Sequence, residues 1–328
     1  MNNDRRSFNK ALGGLALAGV APHALAQPAY PNKPIRLVVG YPPGGANDLN
    51  ARQIAVYLGE ALGTQVIVDN RPGANAVIGT DFVAKAAPDG YTLLASGMTG
   101  LVLNALTYPK LPYNPVSDFV GISTTASSPI LFAVRPSLGV NSLADLIRLA
   151  KAKPGALNFA TVGSGGSTRV VLELLKINAG VNIKYVPYKG GGPAITDLIG
   201  GTVDGLGIDF PALYPFVKEG KLRGIVITSE NRNPLLPQVA TAAEQGMPAL
   251  TCGNWFSLMA PAKTPRPIVD RLHAAIAKAL AHPELRKIMI EGGLEPVLSA
   301  SPEAFSTFLQ AEMGRWGKVI KAAGVEAE

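Results

Sequence analysis

The chain is poor in the residues that carry most covalent and metal chemistry. It has one cysteine in 328 residues, Cys252, which excludes an intrachain disulfide. Three histidines occur, and no spacing such as HExxH or CxxC gathers them into a metal site. His23 lies in a leader-like segment. His273 and His282 lie on the amphipathic stretch PIVDRLHAAIAKALAHPELRKIMI and read as helix-surface residues. No GxSxG elbow supplies a serine nucleophile. Neither GxxxxGK[ST] nor GxGxxG occurs, so no nucleotide cofactor is expected. Charged residues make up only 16% of the chain. No Lys/Arg run concentrates them, which argues against nucleic acid as a partner. No apolar run reaches the roughly 18 residues of a membrane span, so the mature chain is not expected to insert.

What is present begins with an export signal. RRSFNK is followed by the short apolar run ALGGLALAGVA and then by ALA at positions 24–26. A basic start, a short apolar core and a small-x-small site predict a signal peptide over residues 1–26, cleaved after Ala26, and a periplasmic product. Arg5 and Arg6 resemble a twin-arginine signal, and a general secretory signal looks similar. The leader takes Arg5, Arg6 and Lys10 with Asp4, so the formal charge falls from +7 to +5 on cleavage. That mild positive field either suits anionic small molecules or is ordinary solubilising charge.

Glycine and proline are abundant, at 36 and 27 residues, as many short α/β loops require. Residues 35–39 (IRLVV), 65–69 (QVIVD), 91–95 (YTLLA), 130–134 (ILFAV), 157–162 (LNFATV), 203–208, 223–228 (RGIVIT) and 255–260 (WFSLMA) read as strands, most of them followed by helical spacing. Ser142 with Asp145, and Ser301 with Pro302, read as helix starts. Such alternation predicts an α/β fold with mainly parallel sheets.

Two turns carry the functional signal. Residues 41–52 read YPPGGANDLNAR, between a strand and a helix. Gly44 and Gly45 let the backbone turn freely, and the free N–H groups of the helix start form an anion site. Asp48 either caps that helix or accepts from a ligand ammonium, hydroxyl or water. GSGGS, at 163–167, repeats the arrangement before TRVVLELLKINAG. A third glycine-rich stretch, VPYKGGGPAITDLIGGTVDGLGID, follows. No Lys or Arg lies inside the first two turns.

Several longer segments, in order, carry a resemblance. They are YPNKPIRLVVGYPPGGANDLNAR, VDNRPGANAVIGTDFVAKAAPDGYTLL, YNPVSDF, LADLIRLAKAKPGALNFATVGSGGST, VPYKGGGPAITDLIGGTVD, LPQVATAAEQG, and Trp255 with APAKTPRPIVDRL. The chain resembles the substrate-binding proteins of tripartite tricarboxylate transporters, the Bug family, from about Tyr30 to Gly324. The resemblance implies a type II periplasmic-binding fold of two lobes with an interlobe ligand cleft. Lobe 1 is expected at 27–127 with 250–328, and lobe 2 at 128–249. It also implies a receptor rather than an enzyme, with no cofactor and a small carboxylate ligand handed to the membrane subunits of the transporter. A sensor feeding a two-component system is the alternative.

Within such a cleft the expected ligand-binding residues are Tyr41, Gly44, Gly45, Ala46 and Asp48 from the first turn and Ser96 and Thr99 from the loop SGMTG. Ser127 at a crossover, then Gly165, Gly166, Ser167 and Thr168 from the second turn, complete them together with Asp209. Asp209 either faces the cleft or simply ends its strand. The family commonly places a His shortly after the second turn, where this chain has Arg169 and Val170. Arg169 is expected at solvent or on a lobe surface, with a ligand contact as the other reading.

Overall fold

The computed structural model describes residues 30–326, so the expected signal at 1–26 lies outside the described residues. The first units are β1 (Ile35–Val39), α1 (Ala46–Leu62), β2 (Val66–Asn70), α2 (Val77–Ala84) and β3 (Thr92–Gly97). A π-helical turn (Thr99–Leu103) leads into α3 (Asn104–Thr107) and the long β4 (Phe119–Val134). Then come α4 (Leu143–Ala152), β5 (Asn158–Val162), α5 (Ser167–Ala179), β6 (Lys184–Tyr188), α6 (Gly191–Gly200), β7 (Gly205–Asp209), α7 (Phe210–Lys218) and β8 (Arg223–Ile227). The chain ends with β9 (Gly253–Pro261), α8 (Arg266–Ala281), α9 (Pro283–Glu291), the short β10 (Glu295–Pro296) and α10 (Pro302–Ala323).

The strands run in the order β2-β1-β3-β9-β4-β7-β5-β6. Pairs joined through helices are parallel: β1 with β2 and β3, and β5 with β6 and β7. The middle is antiparallel, with β9 between β3 and β4, and β4 against β7 and β8. The α/β class and the two lobes are as expected, but the sheet is mixed rather than mainly parallel. The reason is that β4 and β9 are not βα units: β4 runs from its pairing with β9 on into its pairing with β7 and β8, and β9 returns antiparallel between β3 and β4.

β4 also differs from its sequence reading, which placed only residues 130–134 in a strand. Its first part, FVGISTTASSP, is dominated by small polar residues, yet most of it is buried. Ser123 and Thr125 are completely buried, because β9 and α10 pack against this segment. Pairing with β9 runs as far as Pro129–Gly253, and pairing with β7 starts at Ile130–Asp209. The strand therefore changes neighbours at a proline, the residue that has no N–H to give a ladder. The second connection lies alongside. Thr228 N–H donates to Ile130 O (3.0 Å), and Cys252 N–H donates to Thr228 O (3.0 Å).

Both expected helix starts form. Ser142 Oγ accepts from Asp145 N–H (3.1 Å), and Ser301 Oγ accepts from Ala304 N–H (3.1 Å). The Asp145 carboxylate reaches back one residue further than a capping box requires, to Asn141 N–H (3.1 Å). Apolar side chains of α1, α8 and α9 close over one face of the first lobe, around Leu37, Ile54 and Leu272. A second apolar cluster, including Phe132, Phe159 and Trp316, is continuous across the middle of the molecule.

Candidate ligand cleft

Three helices begin at one place. The N-termini of α1, α5 and α6 follow the carboxyl ends of β1, β5 and β6, where open α/β sheets take their ligands. They surround a cavity of about 110 Å³, room for several waters or a small organic acid. Glycines Gly45, Gly166 and Gly190 stand at the N-cap positions, and none of the three helices has a side-chain cap from its own N-cap residue. Away from the cavity, α4 and α10 are each capped by a serine, while α2, α8 and α9 also lack a side-chain cap. The starts of α1, α5 and α6 direct backbone N–H groups and the positive ends of their helix dipoles toward the cavity.

Of the residues expected from sequence, Tyr41, Gly45, Ala46, Thr99, Ser167, Thr168 and Asp209 line this cavity. Gly44, Asp48, Ser96, Ser127, Gly165 and Gly166 do not. The reasons differ. Asp48 is 2% exposed, and its carboxylate accepts from Gly44 N–H (2.9 Å), Arg52 Nε (3.0 Å) and Asn70 Nδ2 (2.8 Å). These bonds tie the turn together, and the N-cap itself, Gly45, has no side-chain cap. Gly44, at φ +94°, supplies the left-handed bend behind the cavity wall. Ser96 is buried inside β3, against Gly100. Ser127 faces a separate hollow lined by Trp255, Leu298 and Phe308. Gly165 and Gly166 form the loop beneath the α5 start, with Gly166 packed against Asn75. Arg169 turns away from the cavity and is 13% exposed. It pairs with Glu173 (2.9 Å) and stacks 3.3 Å from the Tyr185 ring centroid. It is therefore an intralobe contact, without a ligand role in this arrangement.

Sequence reasoning missed Asn47, Asn75, Gly190, Gly191, Asn254 and Phe256, which also line the cavity. The run of three glycines after β6 was the available signal for α6. Asn75 and Asn254 had none, because the topology alone brings them here. Asn75 stands in the middle of three successive non-glycine residues with positive φ, Ala74 (46°), Asn75 (55°) and Ala76 (74°). This costly turn puts its side chain against Gly163 and Gly166 across the cleft.

The cleft is closed. Ser167 N–H, at the start of α5, donates to Thr99 Oγ1 of the opposite lobe (3.2 Å). Tyr41 lies beside Thr99, and burial pushes its phenol above the usual tyrosine range. Thr168 Oγ1 accepts from Val162 N–H (2.7 Å), tying the end of β5 to α5. Among the described residues no Lys, Arg or His lines the cavity, and Asp209 is its one acidic residue.

The Asp48 cluster predicts an acid response. Burial raises the Asp48 carboxyl, but bonds from Arg52, Gly44 and Asn70 outweigh it and leave it below the usual 3.8. A depressed folded-state value gives stability that is present above about 3.8 and is lost as pH falls through the lower folded value. Asp48→Ala is expected to cost about 1–3 kcal/mol at neutral pH, the scale of one orphaned charged acceptor set. It should also flatten the stability profile below pH 4. Urea denaturation from pH 2.5 to 7 checks both, and an unchanged acid limb would exclude the assignment.

The sequence and fold match known proteins over most of the chain. The sequence profile of the tripartite tricarboxylate transporter family receptor matches residues 50–325. Protein BugT of Bordetella pertussis is 37% identical over 313 residues, spanning 95% of this chain and 95% of that protein. A solved structure of Rhodopseudomonas palustris Rpa4515 with adipate superposes with a TM-score of 0.87 at 35% identity, covering 90% of this chain and 99% of that one. MatC (Rpa3494) from the same organism, with bound malate, gives 0.83 at 30% identity, covering 89% and 100%. The two-lobed periplasmic-binding architecture is shared over the described chain. The chain belongs to the tripartite tricarboxylate transporter receptor family, the Bug proteins, whose members are solute-binding receptors rather than enzymes.

Proposed function

We propose that this receptor captures a small carboxylate between its lobes in the periplasm and delivers it to the membrane subunits of a tripartite tricarboxylate-type transporter. The observation that carries this reading is the convergence of three helix starts with glycine at the N-cap on a small cavity without a cationic side chain among the described residues. Such a site holds an anion by N–H groups, hydroxyls and water rather than by a salt bridge. Ser167, Thr168, Gly45, Ala46, Thr99 and Tyr41 are the proposed contacts. The adipate and malate bound to the two relatives support a carboxylate as the ligand class. We assign lobe 1 to 27–127 with 250–328 and lobe 2 to 128–249, and the mature start to Gln27. No described helix is long and apolar enough to cross a membrane.

Thermal unfolding against a panel of C3–C6 mono- and dicarboxylates tests the reading. A ligand at 100 times its Kd is expected to add about 2.7 kcal/mol of stability. Small-angle scattering should show a smaller radius of gyration on saturation, because closure buries the cleft. A panel in which no member shifts the transition would overturn the proposal.

A further inference from the structure

The cavity has a chemical asymmetry that a simple anion does not explain. Asn47 Oδ1, Asn75 Oδ1 and Asp209 Oδ1 are all buried without a hydrogen-bond partner among the described residues. All three residues line the cavity. Asp209 is singled out among them because β4 lies between it and a second polar cavity residue, Asn254. Asp209 stands opposite Ile130 on one flank of β4, and Asn254 stands opposite Ser128 on the other. The two side chains face each other there, and Asn254 offsets part of the effect of burial on the Asp209 carboxyl. Asn254 Oδ1 is already taken by Trp255 N–H (3.0 Å), so its amide N–H₂ is the group left for Asp209. Asp209 Oδ1 itself is left unpartnered.

We propose that Asp209 is a specificity-determining residue whose free oxygen accepts from a donor group on the ligand, so that the preferred ligand is a carboxylic acid that also carries a hydroxyl or an ammonium. This rests on the carboxylate reading above. Two physical points support it. An unpaired carboxylate in a closed cleft is costly, and a donor removes the cost while a second ligand anion would add to it. Burial, partly offset by Asn254, also pushes the Asp209 carboxyl up to about 6. Tyr41 is the titratable side chain that faces it, and the cavity has no cation to relieve it. Closure on a ligand without a donor therefore leaves the penalty in place. Closure on a matching ligand relieves it, which couples lobe movement to ligand identity.

Calorimetric titration at pH 7.5 decides the matter, with matched sets of C3–C6 acids: unsubstituted, hydroxy-substituted and amino-substituted at each position. The carboxamides of the hydroxy members form the last set. The expected result is at least a tenfold preference for one hydroxy or amino acid over its unsubstituted parent. In Asp209→Asn that preference should fall to within threefold, with the fold verified by circular dichroism. Unsubstituted acids that bind as tightly as their substituted partners would overturn the inference and leave the carboxylate reading standing. A preference that survives Asp209→Asn would overturn it equally. Should the variant not fold, the wild-type preference alone decides. Hydroxy-carboxamides that bind where the acids do not would sink the carboxylate reading and keep the donor subsite. Silence from every member would remove both.

Discussion

Gly45→Val is expected to abolish ligand capture while leaving the unliganded protein as stable as before. Gly45 is the N-cap of α1 and lines the cavity, with φ −81° and ψ 166°. That backbone conformation suits any residue, so the substitution carries no conformational strain. A Cβ there meets no atom within 4 Å, so the added carbons enter open space at the cavity rim. The cavity holds only about 110 Å³, and an isopropyl group takes a substantial part of it. It also stands over the N–H groups at the α1 start. A loss of at least 100-fold in affinity is expected, about 2.7 kcal/mol, against a change of unfolding free energy within about 0.5 kcal/mol. Gly44→Val is the control with the opposite signature. Its φ of +94° makes any side chain costly to the fold. Titration and urea denaturation of both variants separate the cases. Wild-type affinity in Gly45→Val would place the ligand elsewhere.

The contrast between these neighbours shows how far the sequence can be read. Both belong to a glycine-rich turn that is plain in YPPGGAND, and the βα alternation around it predicts the strand and the helix. Which glycine bends the chain and which leaves room depends on φ, which composition does not encode. Asp48 was equally open. Its role follows from Asn70 at the end of the neighbouring strand β2, a partner set by parallel pairing. Local patterns also found the serine caps of α4 and α10, because capping involves residues only three apart. They failed for the first part of β4, where serine and threonine imitate a loop and only the packing of β9 and α10 makes a strand. They failed again at Asn75 and Asn254. These residues reach the cleft through a left-handed turn and through the strand register, and neither leaves a periodic trace. Arg169 was expected at a surface, and a stacking partner on the adjacent strand β6, Tyr185, draws it inward.

The largest effect on the fold is expected at Glu312, far from the helix starts. Glu312 lies on α10 and is 8% exposed. One of its oxygens, Oε2, accepts from two indoles, Trp255 Nε1 (3.0 Å) and Trp316 Nε1 (3.1 Å). Trp255 belongs to β9, and its ring meets Phe308 of α10 edge-on at 5.1 Å. A single carboxylate therefore fastens α10 to β9, the strand between β3 and β4. Glu312→Leu removes the acceptor and leaves both indole N–H groups buried without a partner. Each orphaned donor costs about 1–3 kcal/mol, so a loss of about 2–6 kcal/mol is expected. Glu312→Gln keeps a carbonyl oxygen able to accept from both indoles, and its cost should stay near 1 kcal/mol. The difference between the two variants, measured by urea denaturation, isolates the hydrogen bonds from the packing of the side-chain stem. A Glu312→Leu protein within 1 kcal/mol of wild type would show that apolar contacts alone hold α10. Ligand affinity should stay within threefold of wild type in Glu312→Gln, because the carboxylate faces the side of β9 away from the cleft, in the hollow that Ser127 also lines. That hollow and the cleft share only Asn254, so an affinity change beyond that limit would have to pass through Asn254 to its neighbour Asp209.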